Sequence, residues 1–332
     1  MRLETELRAC VKAPAKVNLT FDVTGDLPGG YHSIVSLFHA ISLEDVLDVE
    51  IIQGAQEELL MELSAEFVGQ PGSFPLDENN LIAKSAKAFN LATGLLNNKI
   101  LKVDVLKQIP IGAGLAGGSS NAAAALVALN ELCGRPLEEK HLLEIATNIG
   151  ADVPFLIAGG TQLGKGKGEI LTPVCLPERL SFVVLKPRQL SVSTPSVFAA
   201  YDQWVSHKEP GWRPVIDHQT AIESLISGSL EIATKSFANV FEPIVFDMYP
   251  SLELIKRRLL ELGCWSAQLS GSGPSIFAVV ANLDMAHMVR RKFKEDETRG
   301  QCVWQKQEGW EIDCFIAEST GGGVQLSMGR RM

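Results

Sequence analysis

The sequence predicts a mixed α/β (α+β) protein of two domains. Stretches that alternate apolar and polar residues are interleaved with stretches of helical spacing along most of the chain. Two separate glycine-rich loops lie far apart, at 112–118 and 271–273. The chain has 332 residues, 46% of them hydrophobic, enough for more than one small core.

Leu7 to Val23 reads as strands broken around Ala13–Pro14–Ala15–Lys16, followed by a turn at Gly25–Gly30 and the dipeptide Tyr31–His32. Val46–Ile52 alternates as a half-buried strand, whereas Gln53–Asp77, with Pro71, Gly72 and Pro75, reads as an irregular excursion. Asn79–Thr93 has helical spacing and stops at Gly94, with the two asparagines as N-caps. Ile100–Leu106 is a strand, and the loop 112–118 then opens an Ala/Leu helix that ends at Cys133–Gly134. A second helix spans Leu137–Asn148, and a domain change is expected near Gly164–Gly168. Beyond it, Phe182–Leu185 is a buried strand, and Thr194–Trp204 and Ser251–Leu262 are helices. Ser266–Val280 crosses the second loop into an apolar strand, and 320–332 reads as a flexible tail. The expected domains are 1–170 and 171–319.

The composition excludes several classes. A net charge of -9 argues against nucleic-acid or anionic-membrane binding. The six cysteines are dispersed, with no CxxC pair or zinc spacing, as in a reducing compartment. No apolar run reaches the ~20 residues of a membrane span, and Met1–Cys10 carries two glutamates and no apolar core. The expectation is a soluble cytoplasmic protein, monomer or homodimer.

The most informative stretch is Pro110–Ile111–Gly112–Ala113–Gly114–Leu115–Ala116–Gly117–Gly118–Ser119–Ser120. Glycines let backbone and ligand approach closely, and a helix start aims free N–H groups and positive dipole at an anion. Gly112, Gly114 and Gly117 match G-x-G-x-x-G, but Gln108–Ile109–Pro110 separates them from the strand, and a helix follows where the dinucleotide fold needs a second strand. The P-loop pattern fails because Gly118 stands where its lysine belongs. A phosphate bound here must take its cation from elsewhere in the chain.

With Ala13–Pro14–Ala15–Lys16–Val17–Asn18–Leu19 before this loop and Leu269–Ser270–Gly271–Ser272–Gly273–Pro274–Ser275 after it, the sequence resembles the GHMP kinases. Gly30–Tyr31–His32, Gly150–Ala151–Asp152–Val153–Pro154–Phe155, Gly168–Glu169–Ile170–Leu171 and Thr194–Pro195 with Phe198 resemble the branch acting on a cytidine-diphosphate-bearing methylerythritol. The resemblance implies an N-terminal domain like ribosomal protein S5 domain 2, a ferredoxin-like C-terminal domain, and ATP and Mg2+ in the cleft between them. It implies Lys16 and Asp152 as the catalytic pair and Pro110–Ser120 as the ATP loop, with Ser120 a candidate Mg2+ ligand. Asn18, Tyr31, His32, Thr194 and Phe198 are implied in binding the cytidylated small-molecule substrate. The sequence departs from the family pattern at Ala116, where a glycine is common, and at Asn239–Val240, where many members carry Asn-Asp. Other GHMP small-molecule kinases (homoserine or phosphomevalonate type) and a non-catalytic ligand sensor are the alternative readings.

Overall fold

The structure, a computed structural model, describes residues 7–68, 74–209, 213–300 and 302–328. Strands β1 (Leu7–Leu27) and β2 (Tyr31–Gln53) form a long antiparallel hairpin closed at Pro28–Gly30, where Gly29 and Gly30 take positive φ. The break expected at 13–16 is a register shift between Pro14 and Ala15 within one continuous strand. Proline has no N–H for the ladder, so the pairing slips there. The shift leaves Leu43 and Ser42 of β2 without a partner on β1, and such a bulge bends the strand and increases its twist. Ala9, Val11 and Ala13 accordingly join one core cluster, and Ala15, Val17 and Leu19 another. A second shift between Asn18 and Thr20 returns Phe21 and Val23 to the first cluster. Lys16 and Asn18 lie between the two shifts.

β3 (Leu60–Phe67) corrects the expected excursion: Leu60–Phe67 alternates exposed and half-buried residues and pairs in parallel with the strand that follows α1. Residues 69–73, with Pro71 and Gly72, lie outside the described residues. Helix α1 (Leu81–Thr93) is capped by the Asn80 carboxamide, which accepts from the Ile82 amide, and ends at left-handed Gly94. β4 (Lys99–Lys107) leads through the glycine loop into α2 (Gly117–Leu132), followed by α3 (Glu139–Ile149) and α4 (Val153–Ala158). The alanines 122–125 and Ala128 are buried, which lets α2 pack closely on β1, α1 and α4. β5 (Thr161–Lys165) and β6 (Ile170–Pro173) extend the same sheet, in which β1-β2-β4-β3 run in order with β5 on β2 and β6 on β5. The sheet therefore continues a few residues past the expected boundary at 170.

The second unit holds β7 (Ser181–Pro187), α5 (Thr194–Ser206), α6 (His218–Ile226), α7 (Leu230–Thr234), α8 (Glu242–Met248) and α9 (Pro250–Glu261). There follow β8 (Ser266–Leu269), β9 (Ile276–Val280), α10 (Leu283–Thr298), α11 (Val303–Glu308) and β10 (Ile312–Glu318). The antiparallel order β10-β7-β9-β8 places the last strand beside the first, as a ferredoxin-like unit requires.

The segment expected to be a flexible tail instead returns to the first sheet. β11 (Gln325–Met328) pairs with Ala9–Lys12 of β1, and the Val324 amide donates to Leu156 O at 3.0 Å. An otherwise unpaired edge of β1 supplies the partner groups, and Gly323 passes so close to the Leu156 and Ile157 carbonyls that a Cβ would collide with them. Residues 329–332 lie outside the described residues.

The two units meet through their glycine loops. Gly114 has φ +75°, and a Cβ there would collide with Ser270 O and lie 2.9 Å from Gly273 O. Ser270 Oγ donates to Gly114 O at 3.0 Å, and the Ser275 amide donates to Ala113 O at 3.3 Å. Gly114→Ala is expected to destabilise by about 2–4 kcal/mol, from left-handed strain and overpacking together, and to weaken nucleotide binding. Urea unfolding and ATP titration check this; a parent-like midpoint and affinity would contradict the close approach.

The seam also holds a histidine. His39, fully buried, hydrogen-bonds Thr161 Oγ1 and Ser319 Oγ at 2.8 Å each, and burial pushes its pKa down from 6.5 to about 3. Below pH 6.5 the unfolded chain takes a proton that the folded chain refuses, so stability falls as pH drops from 6.5 towards 3. This group contributes no pH dependence well above 6.5. The slope it adds is at most about 1.4 kcal/mol per pH unit. Urea midpoints at several pH values from 7.5 to 5 should show His39→Gln losing stability more gently with acid than the parent; equal slopes would show that the imidazole is not held neutral.

Candidate active site

A cavity of about 840 Å³ opens between the two units. Lining it are Lys16, Asn18, Tyr31, His32, Pro110–Gly118, Asp152, Thr194 and Phe198, so residues scattered over 180 positions of sequence converge there.

The cation that the glycine loop lacks is present. Lys16 is 5% exposed, and its Nζ donates to Asn18 Oδ1 at 2.7 Å. Burial lowers its pKa, and the Asp152 carboxylate opposes that shift. Asn18, expected to touch the substrate, spends both ends of its carboxamide on protein: Oδ1 accepts from Lys16 and Nδ2 donates to Ser36 Oγ at 2.8 Å. Ser36 Oγ in turn donates to Thr20 O. Asn18 orients the ammonium.

Asp152 sits at the N-cap position of α4, with helical φ and ψ and no side-chain capping bond. Its backbone is fixed by the Val153 amide donating to Gly150 O and by buried Val153, Pro154, Phe155 and Leu156. The helix start thus anchors Asp152 without engaging its carboxylate.

In the loop, Gly112 and Gly114 take positive φ, while Ala113 and Leu115 bury their side chains in the seam and leave backbone towards the cavity. Ala116, the N-cap of α2, has φ +57°, a conformation that costs a non-glycine residue about 1 kcal/mol and explains why glycine is the relaxed choice there. No side chain caps α2, so its first amides and the positive end of its dipole are available to an anion. Ser120 is a correction. It is fully buried, its hydroxyl donates to Pro14 O at 2.7 Å and its amide to Ala116 O, because the first turn of α2 rotates it towards β1. It is not placed to ligate a metal, and neither Ser119 nor Ser120 lines the cavity.

Among the described residues, the one trio of close His, Asp, Glu or Cys ligand atoms is Asp26–His32–Asp202, away from this loop. The donor set at the loop fits Mg2+ only as an ion arriving with phosphate oxygens and water, with Asp152 as the nearby carboxylate.

At the other end, Phe198 stacks on His32 at 4.7 Å and 19°, and Tyr31, 55% exposed, carries the Lys167 ammonium 3.4 Å from its ring centroid. Thr194 Oγ1 is 2.8 Å from Ser272 Oγ and ties α5 to the second glycine loop.

Two positioning features escaped the sequence reading. The Lys107 ammonium is buried against Asp45 and donates to Asn121 Oδ1 at 3.1 Å, while Asp45 Oδ1 accepts from the Gln108 and Ile109 amides. This network fixes where the loop leaves β4. Asn239 donates from Nδ2 to Leu269 O and Gly271 O at 2.8 Å each, and so pins the second loop. Asn121 directly follows the serines of the loop motif and Asn239 keeps the asparagine of the family's Asn-Asp pair, and these are the signals in the sequence; nothing along the chain connects Asp45 to the loop.

Comparison with known proteins agrees with this geometry. The family model for the GHMP kinases N terminal domain matches residues 80–160, and that for the GHMP kinases C terminal matches residues 221–297. The chain is 34% identical over 286 residues to a 4-diphosphocytidyl-2-C-methyl-D-erythritol kinase of Pelotomaculum thermopropionicum, covering 86% of this chain and 93% of the relative. It is 37% identical over 275 residues to the enzyme of that name from Caldanaerobacter subterraneus, covering 82% and 88%. A crystal structure of a 4-(cytidine 5'-diphospho)-2C-methyl-D-erythritol kinase superposes with TM-score 0.70 at 29% identity, over 94% of this chain and 99% of that one. A homoserine kinase from Cytophaga hutchinsonii, with TM-score 0.71 at 20% identity over 98% and 99%, shares the fold. With both family models matched and more than four-fifths of the chain covered by these relatives at 34–37% identity, the chain belongs to the GHMP kinases and, within them, to the 4-diphosphocytidyl-2-C-methyl-D-erythritol kinase family.

Proposed function

We propose that the protein transfers the γ-phosphate of ATP to the 2-hydroxyl of 4-diphosphocytidyl-2-C-methyl-D-erythritol, giving the 2-phosphate and ADP in non-mevalonate isoprenoid synthesis. The observation that carries this reading is the meeting of a buried, oriented ammonium (Lys16), an uncapped carboxylate (Asp152) and the glycine loop in one cavity. The names of the relatives supply the acceptor.

The chemistry follows from those groups. The loop amides and the start of α2 hold the triphosphate. The acceptor oxygen attacks the γ-phosphorus as the bond from that phosphorus to the bridging oxygen breaks, and the bond's electron pair leaves with ADP. The hydroxyl proton passes to Asp152, which needs little base strength if the transition state is loose. Lys16, itself buried and held by Asn18, stabilises charge on the reacting oxygens. Mg2+ bound to the phosphates would neutralise developing charge there. Tyr31, His32 and Phe198 form the nucleobase end of the cavity, with Thr194 at the start of α5. Residues 1–170 serve nucleotide binding and 171–319 complete the cleft. Among the described residues no helix is long and apolar enough to cross a membrane, and the six free cysteines support a reducing, cytoplasmic setting.

An ADP-release assay with the cytidylated substrate, homoserine and phosphomevalonate tests the reading. Turnover with the first alone is expected; no turnover with it would overturn the assignment. Asp152→Ala is expected to lower kcat by about 10²–10⁴-fold while ATP affinity measured by calorimetry changes little. An unchanged kcat would remove Asp152 from the mechanism.

A further inference from the structure

The nucleobase end of the cavity contains a hydrogen bond that phosphoryl transfer does not use. The His32 side chain, 11% exposed, places Nε2 2.8 Å from Asp202 Oδ1. Asp26 Oδ1 is farther, at 3.8 Å, and its other oxygen is taken by Arg213 at 3.0 Å. A carboxylate only accepts, so the imidazole must present N–H at Nε2. In the neutral ring the lone pair is then on Nδ1, for which no hydrogen-bond partner exists among the described residues.

The ring plane is fixed by the same helix. Phe198 stacks on His32 and meets Phe241 edge-on at 4.9 Å and 84°. Phe198 and Asp202 are four residues apart on α5, so one helix face supplies both the stacking surface and the carboxylate. His32, Phe198 and Asp202 all line the cavity.

We propose that Asp202 is a positioning residue for base selection: by holding the proton on Nε2 it leaves Nδ1 as an acceptor that favours cytosine over uracil. The 4-amino group of cytosine donates to that lone pair, whereas uracil sets a carbonyl oxygen against it. Rejection of this kind is strong because the wrong base leaves buried polar atoms unpaired. The inference rests on the reading that the substrate carries a cytidine diphosphate.

The test is calorimetric binding of CDP and UDP to the parent protein, Asp202→Ala and Asp202→Asn, with nitrogen-15 NMR of the His32 imidazole and ADP binding as a control for the intact fold. The parent should prefer CDP and show the Nε2–H tautomer. Asp202→Ala should weaken CDP binding about tenfold, bring the CDP-to-UDP ratio towards unity and give mixed tautomers. Asp202→Asn keeps an acceptor oxygen and should restore most of the preference. An undiminished CDP-to-UDP ratio in Asp202→Ala would overturn the proposal, as would equal loss of both ligands with the tautomer unchanged. A parent protein without preference for CDP would overturn the substrate reading itself, a separate result seen before any variant is made.

Discussion

Close backbone contact between the two glycine loops is the constraint on which the rest of the structure depends. Gly114 lies against the Ser270 and Gly273 carbonyls without room for a Cβ, and Ser270 Oγ and the Ser275 amide bond back across the contact. Side chains at this point would hold the two units apart and open the cavity to water. Because the contact is backbone on backbone, the start of α2, the Lys16 ammonium and Gly271 share one small volume: a Cβ on Gly271 would lie 3.4 Å from Lys16 Nζ. Glycine here serves proximity as much as φ.

Two buried lysines meet different requirements. Lys107 is neutralised by Asp45 and hydrogen-bonded to Asn121, as a buried charge must be, and acts as a structural fastener for the loop. Lys16 has one neutral partner in Asn18 and only the longer-range attraction of Asp152, so burial dominates and its pKa falls. An ammonium left incompletely compensated is available to phosphate oxygens. The contrast between the two environments distinguishes the proposed catalytic cation from the fastener.

The C-terminal segment adds a second tie between the units. From β10 in one sheet the chain passes Ser319, which bonds His39 and Leu180, and ends as β11 on β1 in the other. On the way it hydrogen-bonds α4, the helix that starts beside Asp152. The terminal strand therefore braces the element that holds the proposed proton acceptor, although it is remote from it in sequence.

Local chemistry in the sequence was sufficient for the elements whose signals are local: α1 between Asn80 and Gly94, the glycine loop opening α2, and the period-two alternation of β4. Three spaced motifs were likewise enough to identify the family. β3 and β11 were missed because short strands with polar or glycine-rich neighbours are stabilised by the strand they join, and that strand is distant along the chain. Ser120 was misread for a related reason: a hydroxyl in a phosphate-loop motif suggests a ligand, but the direction it points depends on the helix turn and on Pro14 O across the sheet. The roles of Asn18, Lys107 and Asp202 as orienting groups depend on partners up to 170 positions away. Residue types and spacing thus determined that this is a phosphate-binding kinase with a lysine and an aspartate at hand. Folding decided which polar atoms are spent on one another and which remain for a ligand, because a hydrogen bond is satisfied by proximity in space and not by position along the chain.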